Sequence, residues 1–383
     1  MSIDNYDLTQ LVSPLQTWFT TNARVLPWRE HPTAYYVWVS EIMLQQTRVE
    51  AVKPYFDRFI RALPDVEALA ECPEDKLLKL WEGLGYYNRV RNLKIAANQI
   101  INEYDGVMPG KYEELLRLKG IGSYTAGAIA SIAYGRPVPA VDGNVLRVLS
   151  RVTADDSDIM KQSVRKNMEE KLCELMKATS ETDSPDKLIP SIFNQALMEL
   201  GATVCLPNGA PRCEACPWHD ICEARKQNRI EELPVKKKAK ARRIEEKTVF
   251  IMKDGEKLAL HKRGKKGLLA GLYELPNTEG YLTEQETLDY IEAQGYTPIR
   301  IQPVCDAKHI FSHVEWHMKG YVVFLQAQGY ADKANEKGDK KQEWIFVDVE
   351  ETKANYAIPS AFVKYTEYLN MTIGKDAISK NEL

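Results

Sequence analysis

The sequence lacks the features that would place the protein in a membrane or tie it together with disulfides. None of its apolar runs approaches the roughly 18 residues that a membrane-spanning helix needs. The polar N-terminal stretch MSIDNYDLTQ has neither the basic start nor the apolar run of a secretory signal. The cysteine count of seven is odd, which argues against a disulfide framework. We therefore expect a cytoplasmic protein with no membrane partner.

An excess of basic residues is also missing, because the net charge is −3 and the isoelectric point is about 6.2. Binding to phosphates needs a basic face, so the overall charge taken alone disfavours a nucleic-acid partner. Residues 236–243, KKKAKARR, nevertheless hold six basic residues out of eight. The composition of this run fits a solvated linker as well as a phosphate-binding segment.

The first 230 residues have the apolar periodicity of helices. In SIFNQALMELGATVC the apolar residues fall on one helical face, namely Phe193, Leu197, Leu200 and Val204. From about residue 246 the pattern alternates, with a hairpin signal at Asp254-Gly255 and strand-like runs at 321–325 and 343–347. We predict a helical domain at 1–230, a basic linker at 231–245, an α+β domain at 246–370 and a polar tail at 371–383.

Four cysteines crowd into one loop, 205–222, with the spacing C-x7-C-x2-C-x5-C: Cys205, Cys213, Cys216 and Cys222. Thiolates are soft ligands that suit zinc or an iron–sulfur cluster. Structural zinc sites usually combine two C-x2-C pairs, whereas this loop has one. The spacing predicts a metal site and leaves zinc and a [4Fe–4S] cluster open, with His219 as a competing ligand.

The segment 115–135, LLRLKGIGSYTAGAIASIAYG, predicts a helix, a hairpin at Gly120 and Gly122, and a second helix. Glycines allow a tight turn in which backbone N–H groups can approach a phosphate at a helix N-terminus. A single G-x-G is weak evidence, since most such turns are connectors. The motif VDGNV follows about 20 residues later and supplies an isolated carboxylate, Asp142.

These motifs resemble the endonuclease III superfamily of DNA glycosylases, through LKGIGSYTA (118–126), VDGNVLRVLSR (141–151) and the four-cysteine loop. Further segments are similar to its MutY branch: LPWR (26–29), VSEIMLQQTRVE (39–50), WEGLGYYNRVRNL (81–93) and FNQALMELGATVC (193–205). The second half resembles a Nudix-like domain. The resemblance implies an all-α helix-hairpin-helix glycosylase domain with an iron–sulfur loop, followed by an α+β Nudix-like domain that reads the lesion.

The resemblance implies a [4Fe–4S] cofactor and a particular reaction, although the chain departs from the family pattern at two points. The family's first cysteine spacing is usually one residue shorter, so this loop holds one additional residue between Cys205 and Cys213. Bifunctional members carry a catalytic lysine after the hairpin, where this chain has Ser123-Tyr124. Without that amine no Schiff base can form, and we expect a monofunctional enzyme.

Two carboxyl groups match the family's catalytic positions. Glu41 would be the proton donor, and its apolar neighbours on a predicted helix would raise its pKa. Asp142 would face the positive charge that develops on the sugar, and it can cap a helix as well. Tyr124 would support the intermediate. The plain alternatives are an exposed helical Glu41, an Asp142 that only caps, and a Tyr124 that only packs.

Other residues match family positions that handle DNA and the extruded base. Gln46 and Tyr86 would be wedges that fill the gap in the base stack. The amide of Gln195 can pair with adenine. The resemblance places the adenine pocket at Trp28, Arg29 and Gln195, although Trp28 also suits core packing. It places DNA contacts at Gln46, Thr47, Tyr86, Gly120, Gly122, Ser123, Ser312 and His313.

The expected function is hydrolysis of adenine from its deoxyribose opposite 8-oxoguanine or guanine in duplex DNA, by a monomer that associates with the nucleoid in a bacterium. One alternative is a bifunctional glycosylase/lyase for oxidised pyrimidines. Another is a non-catalytic DNA-binding zinc protein. A nucleotide pyrophosphohydrolase is disfavoured, since the stretch ETLDYIEAQGY (286–296) lacks the arginine and paired glutamates of a Nudix hydrolase.

Overall fold

The structure, a computed structural model, describes residues 3–184, 186–236, 241–326 and 344–371. Its described residues form two compact units, Met1–Glu71 with Arg91–Ala239, and Cys72–Val90 with Lys240–Leu383. We call them the helical unit and the α+β unit. Part of the predicted basic linker and nearly all of the predicted tail lie outside the described residues.

The first half of the chain is helical, as predicted. Its α-helices are α1 (Val12–Asn22), α2 (Pro27–Glu30), α3 (Ala34–Leu44), α4 (Val49–Ala62), α5 (Val66–Glu71), α6 (Glu74–Leu80), α7 (Asn88–Tyr104), α8 (Tyr112–Leu115), α9 (Ser123–Ile132), α10 (Gly143–Val152), α11 (Gln162–Ser180), α12 (Pro190–Thr203) and α13 (Glu223–Lys226). Short 3-10 turns occupy Ile3–Asn5, Leu8–Leu11 and Cys213–Ala215. Within the described residues, no helix combines the length and apolarity needed to cross a bilayer.

Helix α12 is the central packing element of the helical unit, in contact with α1, α9 and α10. The face predicted from its apolar spacing is buried, with Phe193, Leu197 and Leu200 at most 1% exposed. The helix-hairpin-helix is also present, but its first helix, α8, is short and ends at Leu115, where the predicted helix began. The polypeptide then turns through residues 116–122 before α9 begins.

The α+β unit contains one mixed sheet. Its strands are β1 (Arg243–Asp254), β2 (Lys257–Lys262), β3 (Tyr273–Glu274), β4 (Asn277–Glu279), β5 (Pro298–Ile310), β6 (Val314–Leu325) and β7 (Trp344–Asp348). The strand order is β3-β2-β1-β6-β5, with β4 paired to β1 and β7 paired to β2. Strands β1 and β6 are parallel, and the other pairs are antiparallel.

Helices α14 (Glu284–Ala293), α15 (Val349–Asn355) and α16 (Val363–Thr366), with 3-10 turns at Ser360–Phe362 and Glu367–Leu369, complete this unit. The predicted hairpin is confirmed, because β1 and β2 pair directly across Asp254 and Lys257 around the glycine turn. An apolar cluster on one sheet face includes Trp316, Ile358 and Phe362, with Phe311 packed against it. Residues 360–369 thus form a 3-10 turn, the short helix α16 and a second 3-10 turn.

Candidate active site

One cavity of about 640 Å³ lies in the helical unit and is lined by α2, α3, α9, α12 and the start of α10. Helix α3 places Glu41 there, among Val39, Ile42 and Met43, which are at most 4% exposed. The Glu41 side chain itself is only 6% exposed. The pKa of Glu41 is raised from 4.5 to about 7, mainly by burial and also by the negative charge of Asp142, against the lowering effects of the Tyr124 hydrogen bond and the Arg29 charge.

Tyr124 lies on the second residue of α9, and its hydroxyl donates a hydrogen bond to Glu41 Oε2. Burial, followed by the charge of Glu41, raises the pKa of Tyr124 well above 10, so the phenol keeps its proton. Its oxygen also lies 3.7 Å from the Sδ atom of Met198. The phenol therefore fixes the orientation of one carboxyl oxygen of Glu41.

Asp142 is the N-cap of α10 and lines the same cavity. Its Oδ1 accepts from the backbone N–H groups of Asn144 and Val145 at 2.8 and 2.7 Å, and its Oδ2 accepts from Asn144 Nδ2 at 2.8 Å. Burial raises the pKa of Asp142, while these three hydrogen bonds and Arg147 lower it. Both oxygens accept hydrogen bonds and neither donates one, and both face a helix N-terminus. This arrangement favours the ionised carboxylate of Asp142.

The segment that leads to Asp142 is held by a buried amide. Asn194, which is fully buried on α12, accepts from Ala140 N and donates to Val138 O and Ser131 Oγ, at 2.8 to 3.0 Å. An added Cβ at Gly127 would stand 2.1 Å from Pro139 O, so only glycine allows α9 to approach this segment. The sequence reading missed Asn194, although it is next to Gln195.

Arg29 enters the cavity from α2 and is held by a buried carboxylate. Its Nη2 donates to Glu199 Oε2 at 2.9 Å, and Arg24 Nε donates to Glu199 Oε1 at 2.6 Å. Glu199 is fully buried, and these arginines lower its pKa against the effect of burial. The two guanidinium groups therefore balance one negative charge and leave the cavity beside Glu41 positive.

Trp28 and Gln195, the other predicted pocket residues, also line the cavity. Trp28 is 5% exposed and packs edge-on against Phe56, with ring centroids 5.4 Å apart, so it serves the core as well as the cavity wall. Gln195 Nε2 donates to Ser191 O one helical turn earlier, which leaves the amide oxygen able to accept.

The two predicted wedges share a backbone feature, since Gln46 and Tyr86 both have positive φ, at 59° and 50°. Such φ values are uncommon outside glycine and occur preferentially at functional positions. Gln46 is exposed and lines the mouth of the cavity with Thr47. Tyr86 belongs to the α+β unit and is 49% exposed.

The two hairpin glycines differ in what they require. Gly120 has φ +79°, and a Cβ there would meet Asn92 Cβ at 2.7 Å, so the tight turn needs glycine. Gly122 is extended and has nothing within 4 Å of an added Cβ. Gly122 precedes the N-terminus of α9, where the hydroxyl of Ser123 donates to Glu169 at 3.2 Å. None of these three residues lines the cavity.

Ser312 and His313 form the exposed tip of the turn between β5 and β6, closed by a 2.8 Å hydrogen bond from Phe311 N to Val314 O. Their side chains lie 3.2 Å apart, from Ser312 Oγ to His313 Nδ1. The Phe311 ring packs on Trp316, with centroids 4.9 Å apart. The contact between the half-buried Phe311 and the buried Trp316 thus anchors a tip that presents two polar groups to solvent.

The four predicted metal ligands line one small apolar cavity with His219, Arg151 and Arg225. All seven cysteines are free of disulfides. Burial, and then the nearby thiols, raise the pKa of Cys216 to about 12, while Arg151 Nη1 lies 3.4 Å from Cys205 Sγ. No three side chains among the described histidines, cysteines and acids are arranged to hold a single metal ion. Four soft donors around one cavity, with two arginines, fit an anionic thiolate-bound cluster.

The structure therefore brings eight predicted residues to one cavity: Trp28, Arg29, Glu41, Gln46, Thr47, Tyr124, Asp142 and Gln195. Sequence reading missed further lining residues, including Asn144, Arg165 and Glu199. A signal was available for Asn144, which lies within the VDGNV motif. Nothing in the local sequence distinguished Glu199 from an exposed helical glutamate.

Comparison with known proteins gives matches to both units. The model of HhH-GPD superfamily base excision DNA repair proteins matches residues 39–174, and the NUDIX domain model matches residues 248–368. A solved thermostable thymine-DNA glycosylase aligns with 58% of this chain and 100% of its own, at 28% identity and a TM-score of 0.48.

Two relatives cover more of the chain. An adenine DNA glycosylase of Mus musculus is 34% identical, over 84% of this chain and 72% of the mouse protein. Another, from Buchnera aphidicola subsp. Acyrthosiphon pisum (strain APS), is 32% identical over 87% of this chain and 91% of its own. Identity at this level across both units shows that the protein belongs to the family of adenine DNA glycosylases, enzymes of the HhH-GPD superfamily.

Proposed function

We propose that the protein hydrolyses the N-glycosidic bond of adenine mispaired with 8-oxoguanine or guanine in duplex DNA. One observation carries the proposal: Glu41, with a pKa near 7, shares a cavity with Asp142, whose carboxylate accepts three hydrogen bonds from N–H groups. Two carboxyl groups in opposite protonation states are what hydrolysis of a glycosidic bond requires.

Glu41 would act as the general acid. Its proton passes to a ring nitrogen of adenine, and the electron pair of the breaking C–N bond moves to the base, which leaves neutral. The bond from Tyr124 to Oε2 leaves Oε1 as the oxygen that carries and delivers the proton. Arg29 and Gln195, on the cavity wall, would orient the base.

Asp142 would stabilise the positive charge that appears on the sugar when the base leaves. Its negative charge is already oriented by three hydrogen bonds, so little reorganisation is needed as the charge develops. A water molecule then adds to C1′ and gives a proton to the Glu41 carboxylate, which restores the starting protonation states.

The target base must leave the helix stack to reach these groups, and the cavity of about 640 Å³ has room for a purine. Gln46 and Tyr86 would fill the vacated space, in keeping with their exposure and positive φ. Gly120, Gly122 and Ser123 would hold a backbone phosphate, for which the open space above Gly122 leaves room. Ser312 and His313 would contact 8-oxoguanine.

We infer that Cys205, Cys213, Cys216 and Cys222 hold a [4Fe–4S] cluster rather than zinc. A single zinc ion draws its four sulfurs within about 2.3 Å of one point, and the described cysteines are not arranged in that way. A cluster binds each thiolate through a different iron, so it needs four sulfurs around one cavity rather than four at one point, and the four cysteines line one cavity. Bound there, it would stabilise the loop.

The experiment that tests the function uses a duplex with one adenine opposite 8-oxoguanine. Free adenine should appear, and the strand should break only after alkali is added, since no lysine stands at 123–124. Borohydride should trap little covalent complex. A duplex that yields no free adenine contradicts the proposal, and efficient trapping would indicate a bifunctional enzyme instead.

A further inference from the structure

A segment of the first half of the chain belongs to the α+β unit. Residues 72–90, which include α6 and the loop that bears Tyr86, group with Lys240–Leu383 rather than with the helices around them in sequence. Within this unit, α6 packs against α15. No local pattern predicts this grouping, because the spacing of apolar residues in α6 is that of any amphipathic helix.

Two polar side chains, the buried Glu82 and the partly exposed Lys79, fasten the segment to the rest of its unit. Glu82 is 8% exposed, and its Oε1 accepts from the backbone N–H of Ile358 at 2.7 Å. Its Oε2 accepts from Lys79 Nζ at 2.8 Å, and Lys79 Nζ also donates to Tyr356 O at 3.0 Å. If the buried N–H of Ile358 lost its acceptor, the fold would lose about 1–3 kcal/mol of stability. Glu82 therefore stabilises the contact between the segment and Ile358.

The side chain of Arg89 contacts most of the loop that follows Glu82. The Nη2 of Arg89 donates to Leu84 O and Gly85 O, and Trp81 Nε1 also donates to Gly85 O, all at 3.0 to 3.1 Å. The Arg89 guanidinium lies over the rings of both Trp81 and Tyr86. The loop thereby holds Tyr86 in a left-handed conformation and exposes its ring.

One apolar cluster supports both the segment that bears Tyr86 and the turn that bears Ser312 and His313. Ile358, whose N–H binds Glu82, is a buried member of the cluster against which Phe311 packs. Trp316 links the two regions, with its ring 4.9 Å from that of Phe311 and 6.2 Å from that of Phe362. The loop with Tyr86 and the turn with Ser312 therefore rest on one packed body.

We propose that Glu82 is the positioning residue for Tyr86 and that, through Ile358, it ties the Tyr86 loop to the apolar cluster that also supports the turn at Ser312-His313. This rests on the proposed function. Loss of the Glu82 contact should therefore weaken insertion of the wedge and, with it, the preference for the base that the turn contacts.

The test uses the full-length chain with Glu82→Gln and Lys79→Met, and with Lys76→Met as the matched control, since Lys76 is exposed on the same helix. Hydrogen exchange is measured over residues 83–90 without DNA. Single-turnover adenine release is measured opposite 8-oxoguanine and opposite guanine. Far-UV circular dichroism verifies folding, and Lys79→Met serves alone if Glu82→Gln does not fold.

We expect both variants to speed exchange over 83–90 and to narrow the 8-oxoguanine preference by roughly tenfold, the scale of one hydrogen bond to a charged group. Lys76→Met should change neither. If exchange speeds up but the preference for 8-oxoguanine is unchanged, Glu82 does not influence recognition through Tyr86. If exchange over 83–90 is unchanged, Glu82 and Lys79 do not hold the loop in place. If the parent chain releases no adenine, the proposed function is wrong, and so is the role of Glu82 in recognition. Hydrogen exchange would still show whether Glu82 and Lys79 hold the loop in place.

Discussion

Glu41 is subject to opposing influences. Burial and the charge of Asp142 favour its protonated form, whereas the phenol of Tyr124 and the charge of Arg29 favour the carboxylate. Burial is the largest of these effects and brings the pKa to about 7. The residue thus holds a proton near neutral pH, and the Tyr124 bond fixes which oxygen is free to deliver it.

Glu41→Gln should lower single-turnover adenine release by about 100-fold or more, the usual contribution of a positioned acid, without changing DNA affinity. The parent rate should fall about tenfold per pH unit above pH 7, because the acid works only when protonated. The control is Glu50→Gln, an exposed glutamate on the neighbouring helix α4. Near-normal release by Glu41→Gln would exclude Glu41 as the acid.

Asp142→Asn separates the two roles of that side chain. Asparagine can keep both backbone N–H bonds at its one oxygen but loses the bond from Asn144 Nδ2, so the free energy of unfolding should fall by about 1–2 kcal/mol. Adenine release should fall by about 100-fold or more, because the amide carries no charge to oppose that on the sugar.

Asp7→Asn is the matched control, since Asp7 caps the 3-10 turn at Leu8–Leu11 and is absent from the cavity lining. Denaturant unfolding and single-turnover kinetics give the two quantities. If activity falls only as far as stability does, Asp142 caps the helix and does not stabilise the charge on the sugar.

At the scale of elements, the four-cysteine loop carries its additional residue in an exposed stretch. The additional residue lies between Cys205 and Cys213, in the exposed stretch at residues 207–210, while the later cysteines sit near the turn at Cys213–Ala215 and at the start of α13. An insertion in an exposed loop is absorbed without moving the elements at either end.

The purified protein should contain about four irons per chain and absorb broadly near 400 nm. Cys216→Ser should lower iron content and thermal stability together, because cluster binding is coupled to folding. Cys173→Ser, in α11, should change neither, since it lies outside the cysteine loop. One zinc per chain, in a colourless protein, would refute the cluster.

The turn between β5 and β6 is an element whose tip can be altered without disturbing its anchor. Replacing Ser312 and His313 together by alanine leaves Phe311 on Trp316, so the fold should be retained. The preference for 8-oxoguanine over guanine should narrow by roughly 1–3 kcal/mol, the scale of one good base contact. Glu256→Ala, an exposed change beside the β1–β2 turn, is the control. An unchanged preference would place recognition elsewhere.

At the scale of the molecule, the features that depend on the local spacing of apolar and turn residues could be predicted from the sequence. Periodicity and turn residues predict the helical and α+β halves, the β1–β2 hairpin and the buried face of α12. The helix-hairpin-helix was recognised through its glycines, and only the length of α8 was wrong. Family motifs, rather than composition, supplied the candidate site residues.

Other features depend on contacts distant in sequence, and no local pattern predicts them. The burial of Glu199 between Arg24 and Arg29 joins residues about 170 positions apart. The grouping of residues 72–90 with the α+β unit depends on Ile358, 276 positions beyond Glu82. A chain cut near residue 230 would lack that partner, so full-length variants are better tests of recognition than truncation.

The most direct test compares single-turnover release of free adenine from two duplexes that differ only in the base opposite one adenine, 8-oxoguanine or thymine. We predict rapid release from the first and essentially none from the second. A correctly paired adenine must be extruded at full cost, and it offers no lesion for Ser312-His313 to contact. Equal release from both duplexes, or release from neither, would contradict the assignment of this protein as a mispair-directed adenine glycosylase.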